Sequence, residues 1–224
     1  MTAIKPGRPL TVAVLALALA LMSGCGINTI PTQDEKVKAS WGDVQNQYQR
    51  RADLIPNLVA TVQGYAKQES DVLTRVTEAR ANATRTKIDA SAISDPAALQ
   101  RFQAAQDELS GVLGRLLVIT ENYPELKSNQ NFLALQSQLE GTENRISVAR
   151  RDYNEAVRQY NTSLRTFPTS LWAGTFYSGA KPAVPFAASP GASEAPTVSF
   201  DRPAPPSTPA PPAPGQGTQN PPRP

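Results

Sequence analysis

Apolar residues recur along this chain in alternating steps of three and four, the spacing that lines up one face of an α-helix. The first stripe runs Val37, Trp41, Val44, Tyr48, Arg51, Ile55, Leu58, Val62, Tyr65, Glu69, Val72, Val76, Ala79 and Ala83 without a slip. A heptad seam of this kind packs against neighbouring helices. A second stripe, Leu99, Phe102, Gln106, Leu109, Leu113 and Leu116, follows Asp95-Pro96, which offers an N-cap with proline in the first helical position. It ends at Tyr123-Pro124. A third begins after Ser128 and carries Phe132, Leu135, Leu139, Thr142, Ile146, Ala149, Tyr153, Ala156 and Tyr160, stopping at Phe167-Pro168. No comparable alternation of period two appears, so the expected fold class is all-α.

Length and proline decide how the stripes fold up. One helix over residues 35–85 would be about 75 Å long, against about 40 Å for residues 96–122, and half its seam would lack a partner. Pro56 offers a break, because a proline inside a helix removes an N–H and crowds the preceding turn. A break there predicts helices over about 34–51, 56–86, 96–122 and 128–166, an antiparallel up-and-down four-helix bundle within residues 34–168. The heptad register nonetheless runs unbroken across Pro56, which favours the alternative, a kinked three-helix rod.

The two ends of the chain lack this pattern. Residues 1–9 carry Lys5 and Arg8 and no acid; an apolar run over 10–22 follows, then Ser23, Gly24 and Cys25. That is the order of a secretory signal. Met22-Ser23-Gly24-Cys25 resembles the bacterial lipobox, although leucine is usual where Met22 stands. The expectation is a lipoprotein signal peptide over 1–24, with Cys25 as the lipidated first residue of the mature chain. Two or three acyl chains anchor stably where one is marginal. An uncleaved transmembrane helix is the competing reading, since residues 10–30 carry no charge and about 21 residues can span a bilayer. Gly24, Gly26 and Asn28 make its second half a poor hydrocarbon helix. Either way the chain is held at a membrane, and the rest of it faces the periplasm or cell exterior. Residues 25–33 read as a tether, residues 169–200 as an irregular extension packed on or near the bundle, and residues 201–224 as a disordered Pro-rich tail that folding does not need.

Composition narrows the chemistry. The chain has no histidine and one cysteine, which removes His-based acid–base catalysis, Ser–His and Cys–His nucleophiles, His/Cys metal sites and any internal disulfide. With Lys5 and Arg8 set aside, 20 basic residues face 19 acidic ones, a balance that does not point to nucleic acid. Gly111 and Gly114 lack the lysine and the strand of a phosphate loop. Glu140, Glu143, Asp152 and Glu155 are interleaved with Arg145, Arg150, Arg151 and Arg158, a solvated ion-pair face without the Glu-x-x-His of a di-iron bundle. The sequons at Asn82 and Asn161 fall on helices. No catalytic residue, metal, cofactor or small-molecule substrate is expected. The odd residue is Arg51, a charge in the seam between Tyr48 and Ile55, with Glu69 and Thr142 as lesser exceptions. A buried arginine must be paired; Glu121 and Glu143 are the expected partners, and ligand binding is the competing role.

Three ordered blocks carry a resemblance. Arg50-Arg51-Ala52-Asp53-Leu54-Ile55-Pro56-Asn57-Leu58-Val59 with Gly64-Tyr65-Ala66 comes first. Glu121-Asn122-Tyr123-Pro124-Glu125-Leu126-Lys127 follows, with Asn131-Phe132 and Leu135-Gln136. Gln138-Leu139-Glu140-Gly141-Thr142-Glu143-Asn144-Arg145-Ile146 leads on to Ala149-Arg150, Tyr153-Asn154, Val157 and Tyr160-Asn161, and Pro196-Thr197-Val198-Ser199-Phe200 closes the series. Together they resemble LemA family proteins over about residues 35–200. The resemblance implies a helical bundle at the bacterial envelope with no established biochemical activity, and a membrane-associated peptidase as one class of partner. Many members have a plain membrane helix where this chain has a lipobox, and the Pro-rich tail lies outside the family pattern. The leading functional expectation is a non-enzymatic interaction scaffold for another envelope protein. A spacer or sensor between membrane and cell wall is the alternative, and an enzyme working with Glu, Asp or Tyr alone is the third.

Overall fold

The computed structural model describes residues 26–187. The signal expected over 1–24, the lipidation expected at Cys25 and the tail over 201–224 lie outside the described residues, as does the extension beyond residue 187. Among the described residues there are six helices and no strand: α1 (Thr29–Tyr65), α2 (Ser70–Arg85), α3 (Pro96–Thr120), a single-turn α4 (Pro124–Lys127), α5 (Gln130–Ser163) and a short α6 (Thr169–Thr175). None of them is long and apolar enough to cross a membrane.

The two longest helices, α1 and α5, measure about 55 and 50 Å. They run antiparallel along their whole length: Lys36 donates to Gln159 at 2.7 Å, Arg51 to Glu143 at 2.9 Å and Asn129 to the Tyr65 hydroxyl at 2.8 Å. Returning along α1, α2 places Arg80 against the Ala52 carbonyl at 2.7 Å. The next reversal sets α3 beside α2, with Asn82 donating to Glu108 and Gln106 to the Ala83 carbonyl, each at 3.2 Å. Consecutive long helices therefore alternate in direction. Local signals start two of them: Asp95 accepts from the Ala97 amide at 2.9 Å, and Asn129 accepts from Asn131 and Phe132 at 2.9 and 3.1 Å.

The break expected at Pro56 is not there. Pro56 lies inside α1, which continues to Tyr65. A proline at 56 leaves the carbonyl of Ala52 without its helical donor, and Arg80 Nε supplies one from α2. The chain turns instead at Ala66, through a 3-10 turn over Lys67–Glu69. The heptad slips by one residue there. Tyr65 is exposed while Ala66 is fully buried, and Leu73 is buried in place of Val72. The kinked rod does not form either, because the first helix ends twenty residues short of residue 85. The length mismatch is resolved by pairing α1 with α5.

With only 16 residues, α2 cannot cover α1. The half it leaves open is covered by the loop after it and by an extended strap, residues 180–187. Trp41 Nε1 and Gln45 Nε2 both donate to the Ile88 carbonyl, at 3.1 and 2.8 Å, and the Val184 amide donates to Ile93 O at 3.0 Å. The core accordingly has two parts. Around Trp41 it is aromatic, with Tyr48, Phe102, Tyr153, Tyr160 and Phe186; beyond residue 51 of α1 it is mainly aliphatic, with Ile55, Leu58, Val62, Leu73, Val76, Leu109, Leu116 and Leu139.

Candidate functional site

Where the two parts of the core meet, the helices contribute a polar layer. Arg51, only 2% exposed, stands between Tyr48 of the aromatic part and Ile55 of the aliphatic part. Gln106 and Thr142 hold the same junction on α3 and α5, both buried. The Arg51 guanidinium donates to Ser110 Oγ at 2.7 Å, Glu143 Oε2 at 2.9 Å, Gln106 Oε1 at 2.7 Å and the Gln106 carbonyl at 3.2 Å. Its carbon lies 5.1 Å from the centre of the Tyr48 ring, close enough for a cation–π contact. Gln106 passes the chain on to the Ala83 carbonyl, so one network ties α1 to α2, α3 and α5.

Glu143 is thus brought to Arg51 and Glu121 is not. Glu121 caps α3 and pairs with Lys127, eleven residues past Ser110 and about 16 Å along the helix. To reach Arg51 it would need the chain to turn near Pro56, where α1 instead continues. Glu143 keeps a 53% exposed side chain, so the pair has one foot in water. Ser110, and the use made of Gln106, were not legible in the sequence. Serine on a helix face is common, and only Gln106, a polar residue in an apolar stripe, gave a signal.

A second polar device holds the strap. Asn161 accepts from the Ala183 amide at 2.9 Å and donates to the Ala183 carbonyl at 2.8 Å. Asn154 does the same to Phe186, at 2.8 and 3.3 Å. Seven residues of helix rise about 10.5 Å, nearly the length of three extended residues, so two asparagines one heptad apart read backbone three residues apart. Tyr153, beside Asn154, donates to the Val184 carbonyl at 2.9 Å. Burial pushes the Tyr153 phenol well above its ordinary pKa, since ionisation would place a charge among aromatic rings. The recurrence of Tyr-Asn at 153 and 160 is the sequence signal for this clamp. It also commits the amide of the Asn161 sequon to the strap.

Between α1, the end of α2 and α3 lies a cleft of about 260 Å³, lined in part by Gln45, Gln49, Thr84, Lys87 and Gln106. Its polar groups are amides and hydroxyls with one lysine, set beside the apolar Ala52, Ala83 and Phe102. The α5 carboxylates are dispersed: Glu155 pairs with Arg158, Asp152 with Arg151 and Glu140 with Gln136. Among the described residues no three carboxylates or thiols come together in a way that could hold a metal ion.

Exposed large apolar side chains are concentrated at the two ends of the bundle. Among the described residues, Tyr65, Val118 and Leu133 lie at the end where α1 and α3 finish, Phe167, Leu171 and Phe176 at the end where α1 begins, and Val148 alone between.

Comparison with known proteins agrees with the geometry. The chain is 25% identical over 179 residues to the magnetosome proteins MamQ 1 and MamQ 2 of Paramagnetospirillum magneticum, covering 73% of this chain and 65% of each relative. It is 21% identical over 146 residues to protein LemA of Metamycoplasma hominis, covering 65% of this chain and 63% of that one. The chain thus spans less than two thirds of the length of these curated relatives. The LemA family pattern matches residues 40–200, a stretch holding the α1 block of Arg51, the α5 block of Glu143 and the Tyr-Asn clamp; the chain belongs to the LemA family.

Proposed function

We propose that this protein is a membrane-anchored, non-enzymatic scaffold of the bacterial envelope, which presents the far end of its bundle to another envelope protein. The observation that carries the reading is the concentration of exposed apolar side chains at the two ends of a rod about 50 Å long. Its chain enters at one end through Gly26, directly after Cys25. The other end carries Tyr65, Val118 and Leu133 on three different helices. Single exposed apolar residues are ordinary, but a group of them across helix ends is the footprint of a docking surface. The polar layer and the asparagine clamp serve rigidity, which a scaffold needs. Family membership supports an envelope protein without catalytic activity, and the lipobox supports lipid attachment at Cys25 with the bundle on the periplasmic or external side.

Photo-crosslinking in living cells tests this. A crosslinker at Val118 or Leu133 is expected to capture one dominant envelope protein, and one at Val148, midway along α5, is not. Equal or absent capture at all three positions would remove the scaffold reading. Retention of the whole protein on purified cell wall, with no protein adduct, would support the spacer in its place.

A further inference from the structure

At the proximal end, the chain enters α1 through Gly26, whose φ of +119° is a conformation other residues rarely adopt. A Cβ there would meet Thr169 Cγ2 at 3.4 Å and the Trp172 indole nitrogen at 4.0 Å. The entry point of the chain is therefore packed against α6. The three large apolar side chains around α6 are turned outward: Phe167, Leu171 and Phe176 are 73%, 56% and 68% exposed. Trp172 lies beside them, its ring 5.7 Å from that of Phe176. Residues 26–33 and 156–187 contain no aspartate or glutamate; the second stretch carries Arg165 and Lys181, and its Arg158 is paired with Glu155. Asp34 and Glu35, the next acids on α1, are paired with Lys38.

Exposed Phe and Leu on and just before a helix that carries no acid, with Arg165 and Lys181 in the flanking segments, make a surface suited to the interfacial layer of an anionic bilayer. We infer that this end of the bundle is a membrane-contacting face, on which Phe167, Leu171 and Phe176 enter the lipid interface beside the anchor. The inference rests on the anchored reading above. Three apolar side chains would hold a free protein weakly, but a tether that begins at Gly26 keeps them at high effective concentration against the bilayer. Contact at this end stands the rod up and carries Val118 about 50 Å outward. The two apolar ends then have different partners, lipid at one and protein at the other.

The test uses the full chain in vesicles of phosphatidylcholine and phosphatidylglycerol, some with bromine on the acyl chains to quench tryptophan. The variants are Leu171→Trp, Phe176→Trp and, as the distal reference, Val118→Trp. The emission added at 171 and 176 is expected to fall by about half in brominated vesicles, and that at 118 not to change. Pelleted protein whose added tryptophans at 171 and 176 escape bromine overturns the inference and leaves the anchor standing. If those tryptophans are also shielded from iodide in the water, another protein surface covers them. Protein that stays in the supernatant overturns the anchored reading, and this inference with it. As a second arm, Phe167→Trp should be quenched in an otherwise native chain and lose that quenching with Leu171→Asp and Phe176→Asp, while the protein still pellets. Quenching unaffected by the two aspartates overturns the contact.

Discussion

A guanidinium in an apolar seam is tolerated only when most of its hydrogen bonds are made; Arg51 makes four, two of them to Gln106, and only its Nε is left without a partner. The pairing is unequal. Arg51 is buried, whereas the Glu143 side chain is half exposed, so removing either partner strands a different group. Arg51→Ala leaves a hole at the core junction and Gln106 Oε1 without its donor; a loss of about 3 kcal/mol in urea unfolding is expected. Glu143→Ala opens Arg51 Nη1 to water, which can replace the carboxylate, and should cost about 1 kcal/mol. Equal losses would mean that charge pairing, not the buried amide, holds the layer. From the sequence, the seam marks Arg51 as a misfit and Glu143 as one of two expected partners, but it does not reveal the rest of the layer. Ser110 and the Gln106 carbonyl are ordinary helix groups, and what makes them partners is the register of α3 against α1.

At the scale of elements, the stripes located the long helices and misplaced one joint. Proline inside a helix is costly because it removes a donor and crowds a carbonyl, and the remedy came from outside the helix. Arg80 donates to the very carbonyl that Pro56 leaves open, 28 residues away in the chain. A local rule could not include that bond. The slip of the heptad after Tyr65 was masked in the sequence, because Val72 and Leu73 are adjacent and both apolar. The Arg80–Ala52 bond predicts a coupling between two positions. Arg80→Met alone should destabilise by about 1–3 kcal/mol, since a carbonyl in α1 loses its only external donor. In a Pro56→Ala background the helix regains its own N–H, and the same change should cost less than about 1 kcal/mol. A double-mutant cycle measures the difference. An Arg80→Met cost that is the same in both backgrounds would separate the arginine from the proline.

Over the whole molecule, the sequence places an extension on or near the bundle after residue 168 but conceals how the strap within it is held. Its residues have no period, and it forms because Ala183 and Phe186 find a groove whose asparagines are spaced to receive them. Phe186 completes the aromatic part of the core, with its ring 5.8 Å from Trp41 and 5.4 Å from Tyr153. Burial raises the phenols of Tyr153, Tyr48 and Tyr160 above their ordinary value of 10.0. The folded protein therefore keeps phenolic protons that the unfolded chain releases near pH 10, which gives the molecule an alkaline limit. Stability from these groups is complete below pH 10 and falls as the pH climbs towards their folded values, each buried tyrosine adding a slope approaching about 1.4 kcal/mol per pH unit. Urea midpoints measured from pH 8 to beyond pH 10 should be level at first and then decline. Tyr153→Phe separates this cause from the titration of lysines. It leaves the Val184 carbonyl without its donor and should lower stability by about 1 kcal/mol at pH 8. Above pH 10 its decline should be shallower than that of the unsubstituted protein, so the gap between the two narrows as the pH rises. A constant gap across the range would mean that the Tyr153 proton is released as easily in the folded bundle as in the unfolded chain, and that the strap does not seal the aromatic core against ionisation.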